Sequence, residues 1–188
     1  MSDKDSAAST AQISVIAISC SPSVGGRTAA ALRAVLDGAN AIGATTTLIE
    51  LGPEPDYEAA LEAIRGADAV AFGSPMYRAT YTAQFKSLTE AIPSKRDDAP
   101  LAGRAVLTVA TGGSDHHALG MSGMRDILVD FFAAHVVSPG LYVSPSVTDG
   151  DGLDARTTER AAILGRALVE LAIAVRQSTG LAHVTANT

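Results

Sequence analysis

Three short stretches of this sequence hold residue types that could bind a ligand. The first, Ser19–Thr28 (SCSPSVGGRT), offers hydroxyls at Ser21, Ser23 and Thr28, a cation at Arg27, and a glycine pair ahead of a helical pattern. Free N–H groups at a helix start attract an anion, and Gly25-Gly26 lets the backbone curl around one. The same composition also suits a plain turn with a helix cap. The second stretch, Ser74–Tyr81 (SPMYRATY), sets Pro75, Met76, Tyr77 and Arg78 just past an apolar run. An aromatic beside a soft thioether suits the face or edge of a flat heterocycle, although a tyrosine packed on a neighbouring helix would look the same. The third, Thr111–His117 (TGGSDHH), joins the bare backbone of Gly112-Gly113 to a pair of histidines. A planar ligand can lie against such a strip and take its N–H groups.

Several familiar chemistries fail on spacing. No Gly-Lys-Ser/Thr follows the first glycines, and the stretch does not read G-x-G-x-x-G, so neither a P-loop nor the classical dinucleotide fingerprint is present. His116 and His117 are neighbours that a helix would turn apart, and no further ligands sit at zinc spacing. Gly120–Met124 (GMSGM) misses the second glycine of a nucleophile elbow. Asp149–Asp154 (DGDGLD) resembles a calcium loop, but Leu153 and Arg160 stand where ligands are required, so it reads as a turn capping the next helix. Cys20 has no partner cysteine for redox exchange and reads as a small buried residue.

These stretches must be held by the elements between them. Strands are expected at Ile13–Ser19, Thr45–Leu51, Ala69–Gly73, Ala105–Ala110 and within Val136–Val147, each an apolar or β-branched run ending in turn residues. Helices are expected at Arg27–Ala41, Tyr57–Arg65 and Thr82–Ile92, then after Thr111-Gly112-Gly113 through about Ala134, and at Leu153–Gln177. Five strands alternating with five helices, with no internal repeat, imply a three-layer α/β sandwich: a parallel sheet with helices on both faces. The flavodoxin-like order 2-1-3-4-5 is expected, since a classical dinucleotide fold needs a sixth strand. In such a sheet ligands bind beyond the carboxyl ends of the strands, where strand order reverses, and all three stretches fall there. Met121, Met124, Phe131 and Phe132 exceed what one sheet face needs, so the fourth helix fits either core or a subunit contact.

The 188 residues, 47% hydrophobic and 18% charged, fit one domain, here residues 13–178, between tails at 1–12 and 179–188. A net charge of −6, with 14 Lys+Arg that never cluster, argues against a nucleic-acid partner. No apolar run approaches the ~20 residues of a membrane span, MSDKDSAASTAQ lacks a signal-peptide core, and one cysteine fits a reducing, cytoplasmic setting.

At the three loops the sequence resembles the NAD(P)H-dependent FMN reductase family, and within it the reductases that serve alkanesulfonate and related two-component monooxygenases. Gly73–Lys86 (GSPMYRATYTAQFK) is similar to the family's [GT]-[ST]-P-x-Y-x-x-x-[YF]-[ST] stretch. Leu101–Arg104 (LAGR), Val109–Gly113 (VATGG) and His117 are similar to its L-x-G-K strand and T-G-G-x-x-x-H loop. The resemblance spans about residues 13–147 and implies FMN with NADPH or NADH. It puts Ser21, Arg27 and Thr28, with Ser23 beside them, on the FMN phosphate, and Pro75, Met76, Tyr77 and Arg78 along the phosphate, ribityl chain and ring. Thr111, Gly112, Gly113 and His117 would cradle the isoalloxazine. It further implies release of reduced FMN to a partner flavin-dependent monooxygenase, and a homodimer or homotetramer. No catalytic acid–base pair is needed for direct hydride transfer. The alternatives are an FMN-holding quinone or azo reductase and a flavodoxin-type electron carrier. Three departures stand out. Cys20 replaces a usual Gly and Ser23 a usual Arg, while Gly123 occupies the place where sulfonate-type members insert a residue that bulges the fourth helix. That bulge is therefore expected to be absent.

Overall fold

A computed structural model describes residues 12–95, 98–149 and 152–185. The predicted 1–12 tail thus lies, except for Gln12, outside the described residues. Five parallel strands form the central sheet: β1 (Ser14–Ser19), β2 (Thr45–Glu50), β3 (Ala69–Met76), β4 (Ala105–Gly112) and β5 (His135–Val143), in the order β2-β1-β3-β4-β5. This is the flavodoxin-like arrangement. Helices α1 (Arg27–Asn40) and α5 (Ala155–Gln177) cover one face, and α2 (Tyr57–Gly66), α3 (Ala83–Ala91) and α4 (Met121–Asp126) the other.

The period-two geometry of a strand divides the core between the faces. Val15 and Ala17 of β1 pack with Leu32, Val35, Leu164 and Leu168, whereas Ile16 and Ile18 pack with Ile64, Phe85, Leu88 and Leu128. Helices α1 and α5 cross where Gly38 and Gly165 leave no side chain between them. A Cβ on Gly38 would come 2.1 Å from the Ala162 carbonyl oxygen, and one on Gly165 would come 1.9 Å from that of Val35.

The elements differ from the sequence expectation in three ways. First, β3 does not stop at Ser74-Pro75 but runs to Met76, with Pro75 opposite Thr111 and Met76 opposite Gly112. Strand β1 pairs with β3 only as far as Gly73, so Pro75 lies on a locally open edge where its missing N–H is not needed. In the same way β4 continues past Ala110 to Gly112. Second, the fourth helix is not continuous. A 3₁₀ segment (Asp115–Gly120) leads into α4, which passes into a π-helical turn at Ile127–Phe131. The bulge expected to be absent because of Gly123 is therefore present, a few residues further on. Third, β5 ends at Val143, and Pro145–Val147 forms a 3₁₀ turn. Asp154 caps α5, its carboxylate accepting from Thr157 N–H at 2.7 Å, as the turn reading of Asp149–Asp154 implied. In the segment predicted as a tail, Leu181–His183 forms a single turn whose Leu181 carbonyl lies 2.8 Å from His135 Nε2.

Candidate functional site

The loops after β1, β3 and β4 meet where β1 and β3 carry the chain to opposite sides of the sheet. The loop after β1 is held open from below. Gly25, with φ +70°, donates its N–H to the Glu50 carboxylate at 2.6 Å, and Glu50 also pairs with Arg33 at 2.7 Å. The hydroxyls of Ser21 and Ser23 lie 3.2 Å apart. Asp56, Thr82 and Asp154 cap α2, α3 and α5 with their side chains, but α1 has no side-chain cap at Gly26. The start of α1 thus lacks a side-chain cap and lies on the cavity that Ser21, Ser23 and Arg27 also line. This end of the site is a set of donors suited to a phosphate.

The other end is built on β4. Thr111 meets Thr28 at 2.9 Å between hydroxyls, tying the two loops together below the surface. Arg27 Nη1 donates to the Gly112 carbonyl at 3.4 Å, and Gly113 N–H donates to His117 Nδ1 at 3.3 Å. Accepting at Nδ1 leaves the ring proton of neutral His117 on Nε2. Gly112 is required by close packing, because a Cβ there would come 2.0 Å from the Tyr142 Oη. The Tyr142 hydroxyl donates to the Ser114 carbonyl at 2.5 Å. Burial and the nearby Asp115 carboxylate push this phenol above its ordinary range, with Arg27 pulling the other way.

Pro75, Met76 and Tyr77 form the third wall. Met76 is fully buried, whereas Tyr77 is half exposed. Tyr77 and Thr80 exchange backbone hydrogen bonds at 2.9 and 3.1 Å, closing a two-residue hairpin through Arg78 and Ala79 with φ of +53° and +60°. Such positive φ values at non-glycine residues store strain next to the site. Gly120 lets the hairpin seat, since a Cβ there would come 2.4 Å from the Ala79 carbonyl oxygen. Below, Thr82 donates its hydroxyl to the Cys20 carbonyl at 2.6 Å and Ser74 Oγ accepts the Thr82 N–H at 3.1 Å, locking the first two loops.

Ser21, Ser23, Arg27, Thr28, Pro75, Met76, Tyr77, Thr111, Gly112, Gly113 and His117 all line one open cavity of about 300 Å³. Arg78 does not line it, because the hairpin turn carries it outward, where it is exposed. His116 is exposed as well. Gly26, expected to curl around an anion, lines the cavity as well, whereas Tyr142, which supports it from β5, escaped sequence reasoning because that strand end showed no motif. Cys20 is buried without a charged neighbour, and burial alone pushes its thiol up, so it is inert. Among the described residues, no three His, Cys, Asp or Glu side chains gather to hold a metal ion.

The donor set fits FMN: hydroxyls, a guanidinium and uncapped amides at one end, and a side-chain-free strip facing Tyr77 and His117 at the other. Comparison with known proteins agrees. The family model for NADPH-dependent FMN reductase matches residues 13–149. An NADH-dependent FMN reductase SfnF of Pseudomonas putida is 42% identical over 94 residues, half of this chain and 48% of that one. Its counterpart in Pseudomonas fluorescens is 35% identical over 122 residues, 65% of this chain and 60% of that one. This chain therefore aligns with only about half to three-fifths of those relatives' length. The solved apo form of an NADH:FMN oxidoreductase (EMOB) superposes with a TM-score of 0.73 at 21% identity, covering 92% of this chain and 95% of that one, and so shares the fold. An archaeal flavodoxin shares it too, at a TM-score of 0.60 and 19% identity over 88% of this chain and all of the other. The chain belongs to the NADPH-dependent FMN reductase family.

Proposed function

We propose that the protein is an NAD(P)H:FMN oxidoreductase that gives up reduced FMN to a separate flavin-dependent monooxygenase in the cytoplasm. One observation carries the reading. A single open cavity joins an uncapped helix start beside Arg27 to the bare Gly112-Gly113 strip. Ser21, Ser23, Arg27, Thr28 and the first amides of α1 would hold the phosphate. Thr111, Gly112, Gly113 and His117 would hold the ring edge, and Pro75, Met76 and Tyr77 would flank the ring and chain. When bound, the flavin supplies the hydride-accepting chemistry. The chain's own task is to orient and to shield, which is why no catalytic acid–base pair is required. His117, accepting at Nδ1, offers an Nε2–H, and Tyr77, the one Phe, Tyr or Trp among the described residues that line the cavity, leaves room for a nicotinamide. An open groove with one aromatic wall favours exchange of flavin over permanent retention.

Val129 and Phe131, exposed on the π-helical turn while Phe132 is buried, support a homodimer or homotetramer through that face. Light scattering that returns a monomer removes this part of the reading.

The test is steady-state oxidation of NADH and NADPH under air with FMN, riboflavin and FAD each titrated. Saturable dependence on added FMN is expected. A yellow protein that survives dialysis and turns over quinones without added flavin would replace this reading with an FMN-holding reductase. FMN binding without turnover of any acceptor would replace it with an electron carrier.

A further inference from the structure

The loop that would carry the flavin ring is held by bonds of unequal quality. The Gly112–Gly113 peptide is held at its carbonyl by Arg27 (3.4 Å) and at its N–H by His117 Nδ1 (3.3 Å), both long contacts. The Ser114 carbonyl accepts twice, from the His117 N–H at 3.1 Å and from the Tyr142 hydroxyl at 2.5 Å. The peptide between them, Gly113 C=O with Ser114 N–H, makes no hydrogen bond among the described residues. Gly113 is exposed, so burial does not fix this segment. In this trans peptide the acceptor and the donor point opposite ways, so its orientation decides which of the two is presented to a ring edge that carries C=O and N–H groups.

We propose that Tyr142 is a positioning residue for the flavin ring: its hydroxyl, bonded to Ser114 and seated against Gly112, holds the free Gly113–Ser114 peptide in the orientation the ring edge needs. This rests on the flavin reading above. Three observations set Tyr142 apart. It makes the shortest bond in the loop, and it is the anchor that comes from β5 rather than from α1 or the loop itself. It also stands behind the strip, against Gly112, and is not among the residues that line the cavity. Removing its hydroxyl leaves the Ser114 carbonyl still satisfied by the His117 N–H, so the cost falls on loop order and not on a buried orphan. A looser loop pays its ordering entropy when the ring binds.

The test is Tyr142→Phe, read by quenching of flavin fluorescence with FMN and with riboflavin, and by displacement of FMN with inorganic phosphate. Dissociation constants for FMN and riboflavin should rise by the same factor, about fivefold for one hydrogen bond. Phosphate affinity should stay unchanged and the melting temperature should move by no more than about 2–4 °C. Unchanged flavin affinity, or phosphate affinity falling along with it, overturns the assignment. Wild-type protein that binds neither flavin overturns the flavin reading itself, and this inference with it.

Discussion

At the scale of single residues, the site separates charge from shape. Among the described residues, Arg27 is the one guanidinium lining the cavity, and it stands at the uncapped start of α1. A charge-assisted hydrogen bond contributes about 1.5–3 kcal/mol, and a phosphate here would also gain the helix-start amides. Arg27→Ala should therefore raise the FMN dissociation constant by about tenfold or more. Riboflavin, which lacks the phosphate, should lose much less, because for it Arg27 contributes only the 3.4 Å bond to Gly112. Fluorescence titration with both flavins checks this. Equal losses for the two would mean that Arg27 shapes the Gly112 loop and does not hold the phosphate. The Arg missing at Ser23 sharpens the point, since the exposed Ser23 hydroxyl only pairs with Ser21 and cannot replace a second cation.

At the scale of elements, the cavity depends on where α1 begins, and α1 is fixed by α5. The two cross at Gly38 and Gly165, where backbone meets backbone. Gly165→Ala would place a methyl 1.9 Å from the Val35 carbonyl oxygen, which is backbone and cannot swing aside. Forced overpacking costs about 1–3 kcal/mol or more, so a fall in melting temperature of about 5–10 °C is expected by calorimetry. An unchanged melting temperature would show that the helices slide apart freely. The strands and most helices were legible in the sequence because uncharged β-branched runs and three- and four-residue apolar spacing have few other solutions. Two things were not legible. Pro75 reads as a strand end, and only the early termination of pairing with β1 makes it tolerable within β3. The split of the fourth helix into 3₁₀, α and π turns follows from packing around Met124, Leu128 and Phe132, which local propensity does not encode. Among the site residues, loop composition located those of the cavity. The outward turn of Arg78 depends on the pairing of Tyr77 with Thr80, and the support from Tyr142 depends on strand order.

At the scale of the whole molecule, binding and stability are divided between the two ends of the sheet. Opposite the cavity, Asp68 at the start of β3 accepts from Ser14 N–H at 2.8 Å and from its hydroxyl at 3.1 Å, and pairs with Arg176 of α5 at 2.6 Å. Beside it the Arg104 guanidinium, its own affinity for a proton lowered by burial, donates to the carbonyls of Pro100 and Ala67. Burial alone would push the Asp68 carboxyl up, but the Ser14 and Arg176 hydrogen bonds outweigh it and hold the group below the ordinary carboxylate range. A carboxyl depressed in the folded state contributes its stabilisation above the unfolded value of about 3.9 and loses it as pH falls through the folded value. Asp68→Asn should therefore cost about 1–2 kcal/mol at pH 7, discounted for partial solvent screening. The gap between variant and wild type should narrow as pH falls below about 4, where the unfolded chain's carboxyl takes up a proton that the folded one still resists. Denaturant melts across pH 3–7 read this directly, and a gap that stays constant over that range would refute it. Flavin affinity of the folded variant should equal that of wild type, since β1 and β3 carry Asp68's bonds at one end of the sheet and the ligand loops at the other. A variant that loses both stability and flavin affinity would mean that the sheet couples its two ends and does not keep them apart.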